Sequence, residues 1–363
     1  GIQATVAAAL APERQAVDCD AQPWVVTNET ELNQAISCYN VKPAGSYVIE
    51  VAADIALSAS TTPISNMTTG AQLALNGNAY SVDGQGNAGV RPFEIAPQTA
   101  VTITALTITG GSVGNGGGGI LNRGALVLAE STVSANVATN SEGGGIHSLG
   151  TLHLTGSSIS NNVGRGGGGI YNEGMLTVEG STLEDNAAQS GGGIYNDDYS
   201  GTLLVEDSLL VGNSASSAGG AILNNGQFSV AGSTISSNSA TYGGGLFNDY
   251  SDGIVMVAGS VLSTNVATNS GGGIHTSSPL TVTRSTLSAN VANSGGGIAS
   301  GTTTLSVVDS TFSGNVATVR GGGLDSFFST VTVENSTLSG NSATNLGGGL
   351  VNQLGVMTLT SST

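Results

Sequence analysis

The sequence predicts an all-β protein, a right-handed parallel β-helix (a solenoid) of about 13 coils with a short N-terminal helical cap. Three observations predict it. A glycine cluster runs into an aliphatic residue ten times, at Ile120, Ile146, Ile170, Ile194, Ile222, Leu246, Ile274, Ile298, Leu324 and Leu350, with gaps of 26, 24, 24, 28, 24, 28, 24, 26 and 26 residues. Each copy carries short alternating segments, such as Leu126-Val127-Leu128 and Leu176-Thr177-Val178. Alternation of this kind makes strands, and no sustained 3.6-residue apolar stripe competes with it in the repeats. Each copy then runs through Ser-Thr-aliphatic-Ser-x-Asn-x-Ala, as in Ser131 to Ala138 and Ser233 to Ala240. Three strands and three turns in about 25 residues describe one coil.

In chain order, residues 1–17 form an apolar arm carrying Ile2, Val6 and Leu10. Residues 18–45 form a cap. Within it, Glu29 to Tyr39 places Leu32, Ala35, Ile36 and Tyr39 on one face of a helix. Asn28 or Thr27 can cap that helix, and Glu29 and Glu31 suit its positive end. The cap covers the open edge of the first coil. Cys19 and Cys38 both lie here and read as one disulfide in a secreted protein; two free buried thiols are the alternative. Residues 46–112 supply irregular first coils, through segments 46–58, 71–83 and 93–109, and residues 113–363 the regular glycine-rich repeats.

Inside the repeats, Asn136, Asn162, Asn186, Asn213, Asn238, Asn265, Asn290, Asn315 and Asn341 each follow an apolar position by three residues. Stacked coils put these amides about 4.8 Å apart, so each can donate to the next in a buried ladder. Asn also tolerates the left-handed backbone of a corner. Alanine stands two residues after the ladder Asn in eight of nine copies, with Gly164 the exception, which suggests a narrow buried corner. No glycine cluster is followed by Lys-Ser or Lys-Thr, so the glycines read as tight turns and close backbone approach, not as phosphate loops. Asn also recurs just after the cluster, at Asn122, Asn172, Asn196, Asn224, Asn248 and Asn352.

These repeats resemble those of the polymorphic outer-membrane protein family of secreted bacterial surface proteins. Gly219-Gly220-Ala221-Ile222 matches the family's Gly-Gly-Ala-Ile mark and Phe312-Ser313-Gly314-Asn315 its Phe-x-x-Asn mark; the other copies over about residues 101–363 are looser. The resemblance implies a right-handed parallel β-helix at a cell surface, with adhesion the best-known role. No segment of this sequence resembles the membrane β-barrel of autotransporter members.

Charged residues are only 9% of the chain and its net charge is −17, with six Arg and the single Lys42. Such a surface repels nucleic acid and anionic membranes. No run of about 18 apolar residues spans a membrane. A start at Gly1 rather than Met fits a mature, secreted protein. The expected partners are a second copy of the chain and a host, cell-surface or glycan ligand.

Two inserted loops, Asn196 to Gly201 and Asn248 to Gly253, account for the two 28-residue gaps. Their Asp197, Asp198, Asp249 and Asp252 could hold Ca²⁺ through oxygen ligands; polar surface turns are the simpler reading. No other cofactor is expected. His147 and His275, five coils apart, read as surface residues, and no Ser/His/Asp arrangement can be placed. Arg123, Arg165, Arg284 and Arg320 are scattered over different coils, which leaves a polysaccharide lyase or hydrolase as the alternative to a non-enzymatic protein. Outward Thr-x-Ser rows such as Thr132 and Ser134 make a flat hydroxyl face, which raises a third reading as an ice binder; Glu184, Leu209 and Val211 interrupt that face. The last copy stops at Ser362-Thr363, ahead of the next ladder piece. Head-to-tail fibres are one expectation, with Val356, Met357 and Leu359 meeting Ile2, Val6 and Leu10 of the next subunit; a proteolytic fragment, or an arm folded back on its own cap, is the simpler reading.

Overall fold

A chain that repeats its apolar alternation every 24 to 28 residues can bury those residues only by stacking each copy on the last. The computed structural model, which describes residues 16–197, 201–249 and 255–363, does so. Ile2, Val6, Leu10, Asp198 and Asp252 lie outside the described residues. The fold is a right-handed parallel β-solenoid of about 13 turns with, among the described residues, one helix, near the N-terminus. Every named strand pairing among the described residues is parallel, and inward Leu, Ile and Val from successive coils form one continuous core cluster.

Three sheets run the length of the repeats. The long sheet has 14 strands, from Trp24–Val26 to Val356–Thr360. The hydroxyl sheet has 12, ending at Thr337–Ser339, and the glycine sheet has 11, from Phe93–Ile95 to Leu350–Gln353. The expectation of three strands per coil is corrected by a fourth, short sheet of seven strands between Ala187–Ser190 and Ser342–Ala343. The x-Ala piece after the ladder Asn is a strand in these coils, not a corner. Its alanine points inward, as at Ala267, Ala292 and Ala317, because the glycine strand lies directly opposite and leaves no room for a larger side chain.

That closeness assigns each glycine of a cluster its own task. In Gly271-Gly272-Gly273 the first adopts φ +71°, a left-handed turn. A Cβ on the second would sit 2.4 Å from the Gly296 carbonyl oxygen and 2.6 Å from that of Val291. A Cβ on the third would sit 2.6 Å from the Gly297 carbonyl oxygen and 3.3 Å from the Asn290 amide, one close backbone contact where the second glycine has three, and the corresponding residue of another copy, Ala221, does carry a buried methyl.

The asparagine ladder forms as expected. From Asn162 to Asn341 the Oδ1 of each ladder Asn accepts both the backbone N–H and the Nδ2–H of the Asn one coil earlier, at 2.9–3.1 Å, and the first, Asn136, accepts from Gly111 N–H. Each Nδ2 also reaches a backbone carbonyl of the previous coil, as Asn162 does to Val133 at 2.9 Å. All of these groups are paired, which is why they can be fully buried. The left-handed backbone expected at the Asn lies instead on the residue before it, at Ala135, Asn161, Asp185, Ser237, Thr264 and Ala289. That residue makes the turn, so the Asn after it can point inward.

Two further ladders run parallel to the first. Ser157, Ser181, Ser208, Ser233 and their successors to Ser362 each offer Oγ to the backbone N–H of the previous coil's serine, and Ser131, the first, to that of Leu106. Asn172, Asn196, Asn224 and Asn248 link amide to amide at 2.7–2.9 Å.

At the N-terminal end, Trp24–Val26 already belongs to the long sheet, pairing with Ile49 to Val51. Helix α1, Glu29–Asn40, buries Leu32, Ala35, Ile36 and Tyr39 over the first coil. Asn28 caps it by accepting from Glu31 N–H at 3.0 Å, while the Glu31 carboxylate accepts from Thr27 N–H at 2.7 Å. The Cys19–Cys38 disulfide, with Cα atoms 5.2 Å apart, ties the entering segment to the helix. At the other end, Val356, Met357 and Leu359 lie on the outermost strand of the long sheet; Met357 packs partly on the core, while Val356 and Leu359 are exposed.

Replacing Asn213 by Ala should leave two buried N–H donors of Asn186 without acceptors, at a cost of about 2–4 kcal/mol, whereas Thr234→Ala on the outer hydroxyl sheet should stay within about 0.5 kcal/mol. Thermal melts followed by circular dichroism check the contrast. In the same assay Gly272→Ala should destabilise severely, by about 3 kcal/mol or more, and Gly273→Ala by clearly less.

Candidate functional site

With the inward positions committed to core and ladders, distinctive chemistry can stand only on outward rows. Along the hydroxyl sheet the row is Thr and Ser, broken at Glu184, Leu209, Val211 and Val261. The glycine sheet differs. The residue after each cluster's aliphatic faces outward, and strand register lines up His147, Tyr171, Tyr195, Leu223, Phe247 and His275 in adjacent coils. Parallel register at one coil per step forces ring onto ring: His147 meets Tyr171 edge-on at 5.1 Å, Tyr171 meets Tyr195 at 5.0 Å, and Phe247 stacks on His275 at 5.0 Å. Ion pairs bound the row. Glu94 sits between Arg91 (3.1 Å) and Arg123 (2.6 Å) before it, and Asp325 meets Arg320 (2.8 Å) beyond it.

Four of the five described arginines therefore gather along this one side, although the sequence scatters them over coils; Arg284 is the one elsewhere, at the turn before the ladder residue Ser285. The histidines also differ from the surface residues expected. His147 is largely covered, with Nε2 2.8 Å from the Glu173 carboxylate and Nδ1 buried without a partner. His275 packs against both Phe247 and Tyr242, its Nδ1 2.9 Å from Ser270 Oγ. Burial holds its pKa down at about 4, against the upward pull of Asp249.

The row opens into a hollow of about 290 Å³ beside the two tyrosines, lined by Glu142, Arg165, Gly166, Tyr171, Gln189, Ser190 and Tyr195. Its origin is local. In this coil Gly164 replaces the usual alanine, and the short sheet is reduced to single bridges at Val163 and Gly166. Gly166 lies flat against the rings; a Cβ there would sit 2.9 Å from Tyr195 Cδ1 and 3.2 Å from Tyr171 Cε2. The Tyr171 hydroxyl donates to the Asp197 carboxylate. Burial, reinforced by Asp197, raises the phenol of Tyr171 strongly and that of Tyr195 to about 12, so both stay neutral donors.

Of the four aspartates considered for Ca²⁺, Asp197 is engaged by Tyr171 and Asp249 is exposed, while Asp198 and Asp252 lie outside the described residues. Among the described residues no three His, Cys, Asp or Glu side chains converge as a metal site, and no helix is long and apolar enough to cross a membrane. The aromatic row was present in the sequence as the large residue following the cluster's aliphatic in the six copies from Ile146 to Ile274, and the hollow as the Gly164 exception. No protein-family model matches this chain, and no curated protein or solved structure matches it either.

His275 makes stability depend on pH. In the unfolded chain it takes up a proton near pH 6.5, and in the folded chain only near 4. Its contribution is therefore complete above pH 6.5, declines as pH falls from 6.5 to 4, and is constant below that. His275→Phe keeps a ring on Phe247 and removes the titration. The melting temperature of the variant relative to wild type should rise steadily between pH 6.5 and 4, as differential scanning calorimetry across that range checks.

Proposed function

We propose that the chain is a secreted, non-enzymatic surface protein whose rigid solenoid presents long side-chain rows for structural or adhesive contact. The observation that carries this reading is the outer surface itself: Thr, Ser and aromatic rows hold one register over many consecutive coils, with few charges to interrupt them. A surface that repeats along an axis suits an extended partner better than a single small substrate. The disulfide suits an oxidising compartment. The resemblance of the repeats to polymorphic outer-membrane proteins supports the same reading.

The alternative, an enzyme acting on polysaccharide, calls for paired carboxylates with a base in one groove. The hollow beside the tyrosines is lined by one carboxylate, Glu142, with Arg165 at 3.8 Å, an arrangement that favours binding over cleavage. Purified protein coated on a surface should retain cells or cell-wall material and release no fragments from acidic or neutral polysaccharides. New reducing ends or unsaturated products would establish the enzyme instead. Thermal hysteresis would establish an ice binder, and electron micrographs of the same material distinguish isolated rods from end-to-end filaments.

A further inference from the structure

We propose that the hollow formed by Glu142, Arg165, Gln189, Ser190 and the Tyr171–Tyr195 pair is a glycan-binding subsite that takes one uncharged pyranose ring. The inference rests on the adhesive reading and supplies its place and ligand class.

The hollow lies where the solenoid departs from its own rule. Stacking requires alanine or glycine opposite the glycine strand and a continuous short sheet. Here the strand is lost, and the connection on the coil before it is long, ten residues from Asn136 to Ile146 against eight from Asn186 to Ile194. The longer connection carries Glu142 and the broken strand carries Arg165, so both departures contribute a charged side chain to one cavity. At about 290 Å³ it stands at the lower end of small-ligand pockets, roughly the scale of a single ring.

Its chemistry is mixed in the way a polyhydroxylated ring requires. Arg165 only donates, Glu142 only accepts, and Gln189 and Ser190 do both, so neighbouring hydroxyls can be met as acceptors and as donors. The uncovered part of the tyrosine pair, chiefly Tyr195, gives the hollow a small apolar edge for the ring's C–H groups. Charge selects against an anion: Asp197 and Glu173 stand behind the tyrosine row, and Arg165 is already opposed by Glu142 at 3.8 Å. The exposed guanidinium of Arg165 likewise disfavours a cation.

The backbone that carries these groups is held in place without a ligand. Arg165 N–H donates to Ser141 O at 2.7 Å, and Arg165 O accepts from Gln189 N–H at 2.9 Å and Ser190 N–H at 3.2 Å. Ser141 Oγ donates to Glu142 at 3.0 Å, and Asp197 fixes the Tyr171 hydroxyl. A fixed backbone frame removes that part of the ordering cost of binding.

Ligand-observed NMR tests the subsite with the methyl pyranosides of glucose, galactose, mannose and N-acetylglucosamine, and with galacturonate as the anionic comparison. At least one neutral pyranoside should bind wild type, and Arg165→Ala and Gln189→Ala should each weaken it about tenfold. Both variants should keep the wild-type circular dichroism, since the Arg165 side chain is exposed. No neutral pyranoside binding up to about 10 mM, binding of galacturonate alone, or binding unchanged in both folded variants overturns the proposal. Cell retention by the same variants separates the two readings. If wild type and Arg165→Ala adhere equally while no sugar binds, the subsite falls and the adhesive reading stands; if wild type does not adhere, that reading falls whatever the sugars do.

Discussion

One step height governs this molecule. Parallel strands joined by backbone hydrogen bonds repeat at about 4.8 Å, and every buried group must find its partner one step up or down. The asparagine ladder is the direct consequence. An amide buried alone would be costly, but the same amide repeated at the strand spacing satisfies its donors and its acceptor with copies of itself and with neighbouring carbonyls. The serine ladder and the second asparagine ladder solve the same problem at two other corners. Left-handed residues before the ladder Asn and Ser positions turn those side chains inward, and the glycines let opposite walls approach until only alanine fits between them.

The same step height shapes the exterior. An outward side chain cannot be placed singly in an in-register solenoid; it stands in a row with its counterparts. Small hydroxyl residues make a flat face, and large rings make a continuous stack. Function in such a molecule comes from what varies along a row and from where the repeat is interrupted. The row from His147 to His275 and the broken short sheet at Gly164 are two such places, and they adjoin. The charges follow a similar logic. Arginines far apart in sequence reach one side of the solenoid because they flank the glycine-sheet strand of their own coils, before or after it, where each meets a carboxylate one coil away or within its own coil.

The sequence by itself determined the solenoid, its coil count, the strand character of the three longer pieces, the inward asparagines and the capping helix, because all of these are periodic or local. Glycine spacing, two-residue alternation and an i, i+3, i+4, i+7 face are visible without neighbours. The two cysteines could be paired because there are only two. Only the tertiary structure decided the rest. The x-Ala segment is too short to read as a strand alone and becomes one through the coils stacked on either side. Ser131 and its counterparts look like ordinary strand starts until the next coil's backbone is placed beside them. His147 and His275 look like surface residues until register sets aromatic rings against them and the turns alongside cover them. The hollow depends on residues from three coils, Glu142, Arg165 and Gln189, brought together by a coil-to-coil step that exists only in the folded solenoid. Periodicity is a property of the chain; adjacency across coils is a property of the stack.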